Sequence, residues 1–449
     1  MGNFMLLISI LFFLATAAAA LVYAILVRKA SLADPIVQFI FFFSLFVLPL
    51  PLRAWMTLEI DGDVTPHLIE LLPFIPKAVF LSAVGLIVFV PAYYSRISAR
   101  IAARLPRIRG GQRWLLAFLI LGAFSLFLIV QLASSAGGVL SLLLLGYNVT
   151  AEMAGKGYLA MGFTWLFVAC MFLLYGYAVS RKREYLLAFA VGFGIVVLMH
   201  LVMARRGTLL YMGLAVWLFW HHAIGPLKAR SIIVFGIICF AGLNLVGVLR
   251  SSSYESIGDL WDKTSKSWDS QSDTNLRNGL TYTLTTGEFV VPFETLPQMI
   301  ESVGATVAPE LGMTYVRAPL QFIPQAWFSS RPLPLQNWYI TRFYGSGYGF
   351  NEGREFFFLS EGYLNFGSAG VIATMLVWGL SLGTLHSYIR DNKRTPASIL
   401  VYALIVAFIY AGIAGESISV IVGLPEVSLV AAIVGLWITN RGSSSLASA

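Results

Sequence analysis

The sequence predicts an all-α polytopic membrane protein, and three observations support this fold class. Of its 449 residues, 58% are hydrophobic and only 12% are charged, whereas a soluble domain carries about 25% charged residues. The apolar residues form runs of about 17–25, the length that crosses a bilayer as a helix. The net charge of +8 is concentrated in the short breaks between these runs, where it orients helices, so nucleic acid is not an expected partner.

Eleven of these runs are predicted to span the membrane. They cover residues 4–27, 36–52, 78–95, 114–136, 159–180, 185–203, 207–223, 231–249, 370–389, 398–418 and 420–438. The predicted organisation is a transmembrane bundle of about eight helices (1–249), one large polar loop (250–369), about three C-terminal helices (370–439) and a short tail (440–449). The first run lacks a basic region before it, so it is interpreted as a retained helix rather than a cleavable signal peptide.

The distribution of charge predicts which side of the membrane each loop faces. With the N-terminus outside, the inside breaks hold 17 of the 30 Lys and Arg residues and only three of the 22 Asp and Glu residues. The positive-inside rule is then satisfied at every loop. The large loop 250–369 is therefore expected to be periplasmic or extracellular, away from ATP and nucleotide-activated donors, and the C-terminal tail is expected to be cytoplasmic.

The second half of the large loop has the composition of a recognition or catalytic site. Its arginines and glutamates, interleaved with aromatic residues, are Arg317, Arg331, Arg342, Arg354, Glu352, Glu355 and Glu361. Aromatic rings stack on sugar faces, carboxylates accept hydrogen bonds from hydroxyls, and guanidinium groups pair with phosphate oxygens. This mixture favours a sugar–phosphate substrate; a salt-bridged surface subdomain without such a function is the alternative.

Residues 281–303 have an apolar, helical rhythm. Two interpretations fit them: an amphipathic helix lying on the membrane surface, or a helix packed over the bundle.

A second candidate site is the pair Arg205-Arg206, at the outer end of a predicted helix. Two guanidinium forks suit a diphosphate, although a basic cap at a helix boundary would have the same sequence. His200, just before the pair, is expected to make a polar contact inside the bundle rather than to catalyse. The sequence contains no His/Cys cluster or HExxH pattern, and neither a metal nor another cofactor is predicted.

Three segments carry a resemblance to a known family: RAPLQFIPQAWFSSRP, the turn Tyr344-Gly345, and SEGYLNFGSAGV leading into a helix. In this order they resemble the bacterial oligosaccharide repeat-unit polymerases, the Wzy-type O-antigen and exopolysaccharide polymerases. Arg206-Gly207 at an outer helix end and the late position of the large loop agree with that family. The resemblance covers about residues 200–390, and the N-terminal half agrees by hydropathy only.

This resemblance implies a GT-C-like fold and an inverting, metal-independent glycosyltransferase of the bacterial inner membrane. Such an enzyme takes the growing glycan from undecaprenyl diphosphate and adds it to the non-reducing end of a lipid-linked repeat unit. The implied partners are therefore the undecaprenyl-diphosphate-linked oligosaccharide, membrane lipids and a chain-length-regulating co-polymerase.

On this interpretation the candidate residues take two roles. The groups expected to bind the diphosphate and the rest of the substrate are Arg205, Arg206, Arg317, Arg331, Arg354 and Tyr363. Glu361 is the first candidate for the base that deprotonates the acceptor hydroxyl, followed by Glu355 and Glu288. The role of Glu361 requires that it lie within about one sugar ring of an arginine cluster.

Other function classes remain open from the sequence. An O-antigen ligase would use the same donor and topology but would transfer the glycan to lipid A–core. A polysaccharide transporter or flippase would be expected to place charged residues inside several spans, and the predicted spans here are nearly free of them. A non-catalytic scaffold would tolerate the loss of Arg205, Arg317 and Glu361.

Overall fold

The computed structural model describes residues 2–60, 66–138, 141–142, 157–203, 205–227, 290–323, 327–328, 330–345, 355–390 and 394–440. Regular secondary structure in these ranges is helical, apart from one isolated bridge between Val303 and Val307. The α-helices are Gly2–Val22, Pro35–Val47, Pro49–Ile60, Pro66–Leu71, Ile75–Tyr93, Arg96–Arg104, Trp114–Ser135, Gly157–Ser180, Arg183–Val202, Arg206–Phe219, Val291–Ser302, Met313–Arg317, Leu335–Phe343, Phe358–Arg390, Pro396–Ala407, Ile409–Ala414 and Val430–Asn440. Short π-helical segments follow or precede some of these helices, and a 3-10 turn covers Ala318–Phe322.

Nine helices in the described ranges are long and apolar enough to cross a membrane. They are Phe4–Val27, Pro35–Met56, Ile75–Tyr93, Trp114–Ser135, Tyr158–Ser180, Arg183–Val202, Phe358–Arg390, Pro396–Ala414 and Ser419–Asn440. The all-α membrane character is thus confirmed. Of the other two predicted spans, 207–223 corresponds to the shorter helix Arg206–Phe219 with its π-helical extension Trp220–Ile224, and 231–249 lies outside the described residues.

The chain forms two compact units. The first contains residues Met1–Leu105, Asn275–Asp391 and Ile409–Val422, and the second contains Pro106–Thr274, Asn392–Phe408 and Gly423–Ala449. Each unit therefore combines segments that are far apart in the sequence.

Stacked aromatic rings form the centre of the first unit. The rings of Phe39 and Phe89 lie 4.0 Å apart and nearly parallel, and Phe39 also contacts Trp378 at 5.7 Å. Phe358 packs edge-on against both Phe39 and Phe43. Aromatic pairs of this kind contribute beyond the area they bury, so this cluster anchors the start of the Phe358–Arg390 helix against the second and third predicted spans.

The second unit is built around the Gly157–Ser180 helix, which packs against Trp114–Ser135. A Cβ on Gly162 would lie 2.8 Å from the carbonyl oxygen of Ser125, so glycine is what permits the close approach of these two helices. Close contact at small residues is a usual means of helix association in membranes.

The Val291–Ser302 helix decides between the two interpretations for the second half of residues 281–303, since 281–289 lie outside the described residues. Most of its side chains are buried, including Phe293, Leu296 and Met299, and it packs against the Phe358–Arg390 helix. The Thr295 hydroxyl also lies 2.7 Å from that of Ser360. It is therefore a helix packed over the bundle rather than one lying on the membrane surface.

The Phe358–Arg390 helix begins earlier than the predicted span 370–389 and is interrupted. Phe366 and Gly367 have non-helical backbone angles, and Gly367 has φ 61° and ψ −145°, a conformation accessible mainly to glycine. A Cβ on Gly370 would collide with the carbonyl oxygen of Gly362, eight residues earlier. In a straight helix these two residues are about 12 Å apart, so segment 358–365 folds back against the segment that follows Gly367.

We expect Gly370→Ala to destabilise the protein by about 1–3 kcal/mol or more, because the added methyl group overpacks the contact with Gly362. The measurement is thermal unfolding of the purified protein in detergent, followed by intrinsic fluorescence. The matched control is Gly194→Ala in the helix Arg183–Val202, where the added Cβ meets no atom within 4 Å and alanine favours the helix. Equal unfolding temperatures for Gly370→Ala and the wild type would contradict the folded-back arrangement.

Candidate active-site cavity

A cavity of about 230 Å³ in the first unit brings the large loop together with two helix ends. Its volume equals that of about eight waters, which is the scale of a single sugar ring. The residues that line it are Glu310, Thr314, Arg317, Gln321, Pro332, Leu333, Leu335, Trp338, Glu361, Leu364, Glu416 and Ile418. Glu361, Arg317 and an indole ring thus face one space, but Arg317 is the only arginine in this lining, so the expected arginine cluster is not found there.

Glu361 is buried, with 2% of its surface exposed, and both of its carboxylate oxygens accept hydrogen bonds. Oε1 accepts from the Thr314 hydroxyl at 2.8 Å and from the Ser417 hydroxyl at 2.7 Å. Oε2 accepts from the backbone N–H of Ser417 at 2.6 Å. These three bonds fix the orientation of the carboxyl group at the cavity wall.

Asn365, one helical turn after Glu361, holds the facing part of the loop. Its side-chain nitrogen donates to the Thr314 hydroxyl at 2.7 Å and to the Glu361 carbonyl at 2.8 Å. Its side-chain oxygen accepts from the backbone N–H of Gly312 at 2.7 Å. Gly312 has φ 91°, a left-handed conformation that glycine adopts readily, so Asn365 fixes the turn from which the Met313–Arg317 helix begins.

Glu416 supplies a second buried carboxyl group to the cavity. It lies between the spans Pro396–Ala414 and Ser419–Asn440, and only 5% of its surface is exposed. Its oxygens accept from the backbone N–H groups of Leu335 at 2.8 Å and Gln336 at 3.5 Å. These are the first two residues of the Leu335–Phe343 helix, whose unsatisfied N–H groups favour a negative partner.

The pKa of Glu416 is raised to about 8, first by burial and then by the negative charge of Glu361. The two hydrogen bonds from the Leu335–Phe343 helix act in the opposite direction but are weaker. Two carboxyl groups that share a site do not both ionise easily, so Glu416 is mostly protonated at neutral pH.

Arg317 lies at the edge of the cavity and is paired with Glu310, with 3.3 Å between the guanidinium and the carboxylate. Their side chains are 43% and 34% exposed, so the ion pair contributes little to stability. The lining thus contains three carboxyl groups and one guanidinium. This balance suits a neutral, hydroxyl-bearing group inside the cavity better than a phosphate.

The other residues predicted from the loop are placed elsewhere. Arg331 donates to the carbonyl oxygens of Gln321 at 3.1 Å and Ile323 at 2.9 Å, so it holds the loop that forms the cavity rim. The hydroxyl of Tyr363 lies 3.4 Å from the amino group of Lys77, on the Ile75–Tyr93 helix. Glu355 is exposed. Glu288 and Arg354 lie outside the described residues, and their roles stay predictions.

Arg205 and Arg206 belong to the second unit, where the helix Arg183–Val202 ends and Arg206–Phe219 begins. The backbone N–H of Arg205 donates to the His200 carbonyl at 3.1 Å, and burial lowers the pKa of the Arg205 guanidinium. His200 is fully buried, and its Nδ1 lies 2.9 Å from the Val196 carbonyl. This placement agrees with a polar contact inside the bundle. The binding of a diphosphate by the arginine pair stays a prediction.

Sequence reasoning missed Glu416 and Glu310 as members of the cavity. Glu416 stands in the short stretch GESIS between two long apolar runs, where a single acid is also what an ordinary turn between spans contains. A useful signal was available, since an acidic residue at a membrane boundary that is not needed for orientation calls for a partner.

Comparison with protein-family models, with curated proteins and with solved structures finds no match to this chain. The cavity and its residues, together with the resemblance of the loop segments, are therefore what bears on function.

The raised pKa of Glu416 predicts a pH-dependent stability. An unfolded glutamate has a pKa near 4.5 and the folded one near 8, so the folded protein binds the proton more tightly. The contribution of Glu416 to the free energy of unfolding is therefore complete below pH 4.5. It is lost as the pH rises through 8, at up to about 1.4 kcal/mol per pH unit.

Thermal unfolding between pH 6 and 9 measures this loss. Glu416→Gln, which resembles the protonated carboxyl group, should flatten the pH dependence, and the exposed Glu184→Gln should leave it unchanged. If the melting temperature falls as steeply with pH in the Glu416→Gln variant as in the wild type, another group is responsible for the pH dependence.

Proposed function

We propose that this chain is a glycosyltransferase of the bacterial inner membrane that polymerises lipid-linked oligosaccharide repeat units, with the cavity as the acceptor subsite. The observation that carries the proposal is the pair of buried carboxyl groups, Glu361 and Glu416, facing a space of one sugar ring beside Trp338. An indole face suits a pyranose, and carboxyl groups accept hydrogen bonds from its hydroxyls.

The proposed chemistry needs one proton acceptor. The attacking hydroxyl of the acceptor sugar gives its proton to Glu361 as its oxygen forms a bond to C1 of the donor sugar. The bond between C1 and the diphosphate oxygen breaks at the same time, and the diphosphate leaves with the electron pair. A positioned base contributes about 10²–10⁴ in rate. Attack from the face opposite the leaving group inverts the configuration at C1.

Glu416 has a supporting part in this scheme. With a pKa of about 8, Glu416 is mostly protonated at neutral pH, and we assign the role of proton acceptor to Glu361. Arg317, at the cavity edge, can turn from Glu310 toward the developing negative charge of the diphosphate, because their ion pair is partly exposed and weak.

The experiment that tests the function is a transfer reaction with the purified protein in nanodiscs. The substrate is the radiolabelled lipid-linked repeat unit extracted from membranes of the source bacterium, presented with and without lipid A–core. A ladder of products spaced by one repeat unit supports the polymerase. Transfer to lipid A–core alone would replace it with the ligase, and no product in either reaction would contradict a glycosyltransferase.

Glu361→Gln should lower the rate of repeat-unit transfer by roughly 10²–10⁴, because glutamine cannot accept the proton. Thr314→Val is the structural control, since it removes one hydrogen bond to Glu361 and keeps the carboxyl group. Both variants are expected to lose thermal stability, but only Glu361→Gln should lose most of its activity. If both lose activity in proportion to their loss of stability, Glu361 is a structural residue and not the base.

A further inference from the structure

A second, separate cavity lies in the first unit, between the N-terminal helix and the Ile75–Tyr93 helix. It is an open groove of about 710 Å³. It is lined by Phe12, Ala15, Thr16, Ala19, Ala20, Tyr23, Arg28, Leu86, Ile87, Val90, Pro91 and Tyr94. Apart from Tyr23, Arg28 and Tyr94, these residues are apolar or small. Ala15, Ala19, Ile87 and Pro91 are exposed, so the groove opens to the surroundings of the helices rather than into a protein core.

The dimensions of the groove match one leaflet of a bilayer. From Phe12 to Tyr23 the helix rises about 16 Å, close to half of the roughly 30 Å hydrocarbon core. The ring of Phe12, stacked on that of Phe80 at 5.3 Å, closes the deep end. A single acyl chain lying along the helix would fill the groove from this end to the membrane boundary.

A guanidinium group marks the other end. Arg28 follows the last residue of the span Phe4–Val27, and its guanidinium carbon lies 5.4 Å from the ring centre of Tyr23 and 4.7 Å from that of Tyr94. Its Nε donates to the Tyr23 hydroxyl at 2.9 Å. The two terminal nitrogens make no hydrogen bond to the described residues, so the tyrosines hold the group in place while its outer edge stays available.

The surrounding charges favour an anion at this position. Lys29 is adjacent and exposed. Arg390 and Arg28 both act on Tyr94 as positive charges, against the single negative charge of Asp34. Asp34 is itself 3.8 Å from His386. The local balance is therefore positive, at the depth where the head groups of a bilayer begin.

We propose that this groove binds an anionic glycerophospholipid, with one acyl chain between the two helices and the head-group phosphate on Arg28. The terminal N–H groups of Arg28 form charge-assisted hydrogen bonds with the phosphate oxygens. A lipid with net negative charge is preferred over a zwitterionic one, because a zwitterion brings its own cation next to Arg28 and Lys29. The site takes its lipid from the leaflet at the Arg28 end and is independent of the proposed transferase activity.

Native mass spectrometry of the purified full-length protein tests the proposal. The protein, delipidated in detergent, is titrated with phosphatidylglycerol, phosphatidylethanolamine or phosphatidylcholine of equal chain length. We expect one phosphatidylglycerol molecule to bind at least about tenfold more tightly than either zwitterionic lipid. Equal binding of all three lipids would overturn the proposal.

Two pairs of variants locate the site. Arg28→Ala should weaken phosphatidylglycerol binding about tenfold, whereas Arg100→Ala, an exposed arginine on the Arg96–Arg104 helix, should not. Ala19→Trp fills the groove and should also abolish the tight binding, whereas Ala18→Trp, an exposed position next to it that does not line the groove, should retain it. The proposal is wrong if Arg28→Ala binds like Arg100→Ala, or if Ala19→Trp binds like Ala18→Trp.

Discussion

The carboxyl group of Glu361 joins three parts of the chain that are distant in sequence. It accepts hydrogen bonds from Thr314 in the large loop and from Ser417 between the last two spans, while its own backbone belongs to the folded-back segment 358–365. Hydrogen bonds to a charged group contribute about 1.5–3 kcal/mol each. Removing one partner leaves the other buried and unsatisfied, which destabilises the protein more than replacing both partners by apolar groups. This one side chain therefore connects Thr314 and Ser417 to the folded-back segment at the cavity wall.

Most residues of the segment SEGYLNFG have a structural role of this kind. Ser360 contacts Thr295, Asn365 fixes the loop at Gly312, and Gly367 adopts the backbone angles of the reversal. The segment therefore specifies a folded-back helix that supports a loop. The proposed function rests on a smaller part, the carboxyl groups of Glu361 and Glu416, which both line the cavity.

Hydropathy and charge were sufficient to predict the class of fold, because a membrane span is set by about twenty consecutive residues. The reversal at Gly367 could not be predicted in this way, because it depends on the close contact of Gly362 with Gly370 rather than on any local composition. Arg317 and Glu361 were found from their residue types. Glu416 was not, since its partners, Leu335 and Gln336, are about eighty residues away.

Arg331 and Tyr363 were assigned to the substrate from their residue types. Arginine and tyrosine between aromatic residues have the composition of a binding site, but composition does not tell whether a guanidinium faces a ligand or a carbonyl oxygen of its own loop. Arg331 faces the carbonyl groups of Gln321 and Ile323. Arginine can donate five hydrogen bonds, so the same side chain can bind a ligand or hold the carbonyl oxygens of its own loop.

The arrangement around Glu361 has a consequence for the order of events during biosynthesis. Thr314 and Glu361 are translated before Ser417, so the carboxyl group is made while one set of its hydrogen-bond donors does not yet exist. The cavity can be completed only after residues 396–414 have entered the membrane and the turn that follows has emerged. A ribosome-bound chain that ends before this turn therefore contains the loop and the folded-back segment without a finished site, and assembly of the cavity is a late, post-insertion step.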